Sequence, residues 1–139
     1  MKEYTLAVIV PFYNEELFIE KSVTNLINEN FCDQLILVND ASTDASVKIA
    51  KELMINYNNI SLLNIETNLG KGNALKEAIK KINSTHVAIH DADLEYSPSD
   101  LKKMTEISKL NPENLILGSR FIGNIKRNNI YYRTYLANK

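Results

Sequence analysis

The chain has one cysteine, Cys32, among its 139 residues, which excludes an intramolecular disulfide and makes a reducing compartment the default. Lying between Phe31 and Leu35, Cys32 reads as a small core residue and not as a nucleophile. No apolar run approaches the roughly 20 residues a membrane-spanning helix needs. Met1 leads within a few residues into a short apolar strand, with no signal-peptide layout. Together these absences predict a soluble, cytoplasmic chain. The net charge is only −1, so nothing global points to nucleic acid. The two histidines, His86 and His90, lack the Cys/His partners of a zinc site. Acid is missing from Gly118 to the end, where Arg120, Lys126, Arg127, Arg133 and Lys139 are all basic.

What is present reads as one domain's worth of chain, long enough to bury a real core. Tyr4–Val10, Gln34–Val38, Ile60–Ile65, Thr85–His90 and Leu115–Gly118 are short apolar runs that predict five strands, the first ending at Pro11. Between them run helical stripes. Ile19, Val23, Leu26 and Ile27 mark a helix over 15–30, with Asn14 as its N-cap. Val47, Ala50, Leu53, Met54 and Tyr57 face inward from the next helix, and Leu75, Ala78, Ile79 and Ile82 from the third. Leu101, Met104 and Ile107 form the spine of the fourth. Strand–helix alternation argues for an α/β domain with a mainly parallel sheet and helices on its faces. Polar clusters follow the strands at Pro11–Glu15, Asn39–Asp44, Asp91–Glu95 and Ser119–Arg120. Open α/β sheets bind ligands there, above all at the switch point of a 3-2-1-4 order.

The acidic stretch after the fourth strand carries the most chemistry. Asp91, Asp93 and Glu95 alternate, so an extended backbone would point all three carboxylates the same way. Converging like charges need a cation or a shared proton, and an all-oxygen cluster suits Mg²⁺ or Mn²⁺ shared with substrate phosphates. A solvated loop leading into a helix capped by Ser97 or Ser99 explains the same residues. Asp40 can accept a base's imide N–H or close a turn over Asn39–Ser42. Asn68–Asn73 sets two glycines and Lys71 before a helix, a phosphate-binding arrangement or a simple left-handed turn. It is neither a Walker loop nor a Rossmann fingerprint. Arg120 can clamp a phosphate or lie on Phe121.

Five segments occur in order: Val8–Glu15, Val38–Asp44, Asn68–Ala74, Asp91–Pro98 and Gly118–Phe121. Together they resemble glycosyltransferase family 2. Within it they are most similar to the dolichol-phosphate mannosyltransferase-like and polyprenyl-phosphate glycosyltransferase branch. The resemblance implies a GT-A fold, with residues 1–123 forming the nucleotide-sugar-binding part and 124–139 opening an acceptor-side, membrane-proximal segment. It implies inverting transfer from a UDP- or GDP-sugar to a polyprenyl or dolichyl phosphate. By matching position, Pro11, Tyr13, Glu15, Asp40, Lys71 and Asp91 bind the nucleotide. Asp91 and Asp93 are the family's DxD pair, Asp93 with Asp91 and Glu95 the metal ligands, and Arg120 lies near the phosphates. Arg133 would touch the acceptor phosphate.

Two departures stand out. Glu95 replaces a common Gln, which keeps an oxygen ligand. Ala41 replaces the glycine of an Asp-Gly-Ser turn, tolerable only if φ there is negative.

An acceptor phosphate is already anionic and needs little help from a general base, whereas a saccharide hydroxyl would need one. The basic, Tyr-rich end would then meet an anionic membrane surface. The competing expectations are a transferase fragment that binds nucleotide without turnover, and a transferase acting on a saccharide hydroxyl. A nucleotidyltransferase would want a glycine-rich loop after the first strand. A phosphorylated receiver would want a lysine after the fifth.

Overall fold

Every residue of β1, Leu6–Phe12, is buried in the computed structural model, which describes residues 3–119. Such burial needs cover on both faces and a neighbour on each edge, and the topology supplies them. β1 is followed by α1 (Ile19–Glu29), β2 (Gln34–Asp40), α2 (Ser46–Asn56), β3 (Ile60–Ile65), α3 (Lys71–Ile79), β4 (His86–Ile89) and α4 (Pro98–Leu110). The strands form one parallel sheet in the order β3-β2-β1-β4. The strands thus build outward from β1 in one direction through β2 and β3 and then in the other to β4, which makes β1/β4 the switch point.

Side chains two apart share a face. Leu6, Val8, Val10 and Phe12 meet α1 and α2 through Ile19, Val23, Leu26, Ala50 and Leu53. Leu101 of α4 packs against the same cluster, and Lys102 ties α4 to the end of α1 by donating to the Glu29 carbonyl at 2.9 Å. On the opposite face Ile9, Ile36 and Val38 meet Ala74 and Ala78 of α3. Small residues there let α3 sit close to the strands. Truncating a buried leucine such as Leu37 to Ala would cost about 2–5 kcal/mol.

Several expectations need correction. β1 does not stop at Pro11 but runs to Phe12, with Pro11 paired to Val38. The Ile9 carbonyl accepts from His90, so Pro11, two residues on, faces the same edge, where β4 has already ended at Ile89. No ladder bond is lost to the missing N–H. α1 starts at Ile19, not 15, with Phe18 at its N-cap. Asn14 instead adopts a left-handed conformation, φ 55°. Met54, Ile79 and Ile107 are exposed rather than inward.

The predicted fifth strand is not formed: among the described residues no strand pairs with Leu115–Gly118, and Leu115 and Leu117 are 83% and 79% exposed. Among the described residues β4 correspondingly has a strand on one side only and is not the buried strand expected, with Val87 and Ile89 about half exposed. Arg120, Arg133 and the whole 124–139 segment lie outside the described residues.

Candidate active site

The loops after β1, β2, β3 and β4 gather at the C-terminal edge of the sheet, around the β1/β4 switch point. They enclose an open cleft of about 280 Å³. Pro11, Tyr13, Glu15, Asp40, Lys71, Asp91 and Asp93 all line it, so the sequence candidates within the described residues converge, Glu95 excepted. Phe12, Ala74 and Ala92 complete the wall. His86 is at the far end of β4, stacked on Tyr4 with ring centroids 4.1 Å apart, and has no part in the cleft.

The first two loops are locked to each other by side chains bonding to backbone. Ser42 Oγ accepts from the Asn14 amide at 3.0 Å, and Asn14 Oδ1 accepts from the Thr43 amide at 2.8 Å. Ser46 Oγ accepts from the Glu15 amide at 2.8 Å. Asp44 accepts from the Glu16 and Ser46 amides, while Glu16 accepts from Ala45. Burial alone would raise the Asp44 pKa, but these bonds from Ser46 and Glu16 outweigh it and hold it below its ordinary value. Apart from the local Asp44–Ser46 bond, none of these partners is evident from spacing, because each is a contact between loops about 30 residues apart.

The turn after β2 is closed by Asn39, whose Oδ1 accepts from the Ser42 amide at 2.8 Å. Asp40 is therefore not the turn-closing residue. Ala41 takes φ 62°, the left-handed conformation that its replacement of glycine would have to avoid. The surrounding bonds hold a residue there at a cost of about 1–2 kcal/mol. Asp40 reaches instead into the third loop: its two oxygens accept from the Leu69 amide at 3.2 Å and the Gly70 amide at 2.8 Å. Gly70, at φ 87°, is the N-cap of α3. A Cβ there would meet nothing within 4 Å, so backbone conformation and not space demands glycine.

Lys71 opens α3 and pairs its amine with Asp91 Oδ1. The acidic stretch beyond does not stay extended. Ala92 is buried in the core and anchors a turn, Leu94 adopts φ 62°, and Asp93 Oδ1 accepts from the Glu95 amide at 3.0 Å. The turn leaves Asp91 and Asp93 in the cleft and carries Glu95 out of its lining. Three carboxylates therefore do not converge, and among the described residues no group of three acidic, His or Cys side chains is placed to hold a metal.

The cleft still carries uncompensated negative charge. Burial pushes the Glu15 pKa up, reinforced by Asp93, Asp44 and Asp91. His90 is buried, its Nε2 has no partner among the described residues, and burial lowers its pKa against the pull of Asp91 and Asp93. One or two carboxylates with phosphate and water completing the shell suit Mg²⁺ or Mn²⁺, so Asp91 and Asp93 fit such an ion without forming a closed cage.

The family model for glycosyl transferase family 2 matches residues 7–138. A dolichyl-phosphate beta-glucosyltransferase of Trichomonas vaginalis is 32% identical, over 94% of this chain and 43% of its own length. A UDP-N-acetylglucosamine–dolichyl-phosphate N-acetylglucosaminyltransferase of Methanococcus voltae is 31% identical, over 86% of this chain and 53% of its own. This chain thus spans about half the length of these relatives. A mannosyltransferase of Pyrobaculum calidifontis, solved with GDP-Man and Mn²⁺, matches with a TM-score of 0.67 and 26% identity, over 74% of this chain and 32% of that one. The parallel sheet, its order and these neighbours identify the fold as GT-A. A match from residue 7 to 138, on a fold whose cleft gathers the DxD pair and the lysine of the third loop, establishes that the chain belongs to glycosyl transferase family 2.

Proposed function

We propose that this chain carries the donor-binding part of an inverting glycosyltransferase, which moves a sugar from a UDP- or GDP-sugar to a polyprenyl or dolichyl phosphate. The observation that carries the reading is the cleft at the β1/β4 switch point, where Asp91 and Asp93 face Lys71 and Glu15. That is a wall of carboxylates beside a cation and a helix N-terminus, the chemistry a metal-bound diphosphate needs.

Tyr13, half exposed at the cleft mouth, offers a ring face to the base, with Pro11 and Glu15 beside it. Lys71 lies where the diphosphate would, and can exchange Asp91 for phosphate oxygens as they arrive. Asp93, with Asp91, would hold a divalent ion; when bound, the ion neutralises charge building on the departing nucleoside diphosphate. Arg120 would share that charge and Arg133 would receive the acceptor phosphate.

A lipid phosphate attacks the anomeric carbon through an oxygen already anionic, forming the new C–O bond as the bond to the nucleoside diphosphate breaks on the opposite face. It requires no general base. The dolichyl-phosphate transferases among the relatives support this acceptor class. Among the described residues no helix is long and apolar enough to cross a membrane. The basic 124–139 segment would contribute contact with an anionic surface.

The test is calorimetric titration of the 139-residue chain with UDP and with GDP, with and without Mn²⁺. Mn²⁺-dependent binding of either establishes the donor site and names the base. Binding of neither, under conditions where the chain is folded, defeats the reading.

A further inference from the structure

We propose that Asn14 is a positioning residue for the nucleoside end of the donor site: by latching onto the second loop it sets the directions of its neighbours Tyr13 and Glu15. The proposal rests on the donor-site reading above and concerns how that site is built. Residues 13 to 16 alternate in what they face. Tyr13 and Glu15 line the cleft, whereas Asn14 and Glu16 bond to the loop after β2. Asn14 is held there twice. Its backbone amide donates to Ser42 Oγ at 3.0 Å, and its side-chain Oδ1 accepts from the Thr43 amide at 2.8 Å.

The latch holds a specific conformation. Asn14 takes φ 55°, in the left-handed region, where asparagine is tolerated better than most side chains. The chain on either side of it is anchored. Before it, Phe12 is buried at the end of β1. After it, the Glu15 amide donates to Ser46 Oγ at 2.8 Å, and the Glu15 carbonyl accepts from Phe18 and Ile19 as α1 begins. Asn14 is the joint between these fixed points, flanked by the two residues that turn into the cleft. Tyr13 is 47% exposed, so packing alone does not fix its ring, and the backbone beside it does.

Three roles for Asn14 predict three patterns. A tie that serves stability alone leaves the affinity of the folded chain unchanged. A direct contact with the ligand depends on the Asn14 side chain and not on Ser42. A positioning role depends on both partners of the latch and acts on the nucleoside end only.

Asn14→Gly keeps the left-handed conformation without strain and removes the Oδ1 acceptor. Ser42→Ala leaves Asn14 whole and removes the acceptor of its amide. UDP and GDP are titrated calorimetrically with Mn²⁺, and inorganic pyrophosphate is measured by displacement of whichever nucleotide the native chain binds. We expect each variant to weaken the nucleotide about tenfold and pyrophosphate by less than about twofold, so that the ratio of the two affinities falls. The double variant should lose no more than the larger single loss, because both changes open one latch. Asn14→Asp keeps an acceptor for Thr43 and tolerates the left-handed conformation, and it should restore the ratio.

A ratio unchanged in Asn14→Gly overturns the proposal in favour of a tie that serves stability alone. A fall in Asn14→Gly that Ser42→Ala does not reproduce, or that Asn14→Asp does not restore, overturns it too, and the native chain still binds nucleotide in each of these cases. If Asn14→Gly does not fold, Ser42→Ala decides alone. A native chain that binds neither nucleotide, or whose nucleotide pyrophosphate does not displace, removes the donor-site reading itself, and this proposal with it.

Discussion

The cleft has two walls built on different plans. On one side the loops after β1, β2 and β3 are cross-tied by hydrogen bonds that Ser42, Ser46, Asn14, Asp44 and Asp40 accept from amides of other loops. Their geometry is set before any ligand arrives. On the other side the turn after β4 holds Asp91 and Asp93 with one lysine contact and one local bond, and it loads the cleft with negative charge. The first wall spends its polar groups on itself, and the second keeps them for a partner. On the proposed function, the tied wall would cradle the nucleotide and a cation would relieve the excess negative charge of the other, so that specificity and metal dependence would reside in different walls.

Breaking the charged wall should give the largest effect. Asp93→Asn removes the charge that the ion would meet, while the local bond from Glu95 survives on the amide oxygen. We expect Mn²⁺-dependent nucleotide binding to be lost, by several kcal/mol, with the thermal transition unchanged. Calorimetry with and without Mn²⁺ reads this directly, and binding equal to the native chain would refute the metal assignment. Breaking the tied wall should show in stability first. Ser46→Ala leaves the Glu15 amide without its acceptor at a buried site, which costs about 1–3 kcal/mol. Urea denaturation would detect it, and a variant as stable as the native chain would mean that the loops hold each other without that bond.

The difference between the walls also explains what could be read in advance. Alternating apolar runs and helical stripes sufficed for the β3-β2-β1-β4 order, since residues such as Val8 and Ile9 have nowhere to go except into a doubly covered sheet. The motif residues suited to phosphate and metal were visible because their chemistry is local. The ties were not, because Asn14 to Thr43 and Asp40 to Gly70 are contacts that exist only once the strands are in register. The shape of the acidic turn was hidden too: nothing about a leucine suggests φ 62° at position 94, so the extended arrangement placing Glu95 with the aspartates looked natural. Periodicity names a helix face without saying whether anything covers it. Met54, Ile79 and Ile107 keep the apolar spacing and are nonetheless exposed. Leu115–Gly118 has strand composition but, among the described residues, no strand beside it.

A smaller effect, opposite in sign, sharpens the comparison. The tied wall is strong enough to hold Ala41 at φ 62°, a conformation that costs a side chain about 1–2 kcal/mol. Ala41→Gly relieves that strain but adds freedom to the unfolded chain, leaving a net gain of about 1 kcal/mol or less. The urea midpoint should rise with an unchanged slope. A fall would show that Ala41 does not occupy the left-handed conformation in solution.

The smallest effect probes how the walls meet. Glu15 belongs to the tied wall through its amide, yet its carboxyl has a raised pKa, from burial first and then from Asp93, Asp44 and Asp91. A carboxyl that binds its proton more tightly when folded favours folding at pH below its ordinary value of 4.5, and that contribution is lost as pH rises through the raised value. Glu15→Gln cannot ionise, so its stability relative to the native chain should improve from pH 4.5 toward neutrality. Placing Asp93→Asn in both backgrounds should shrink the improvement, because part of the repulsion crosses the cleft. A difference that stays flat with pH would mean that the charge of the acidic turn does not reach the tied wall.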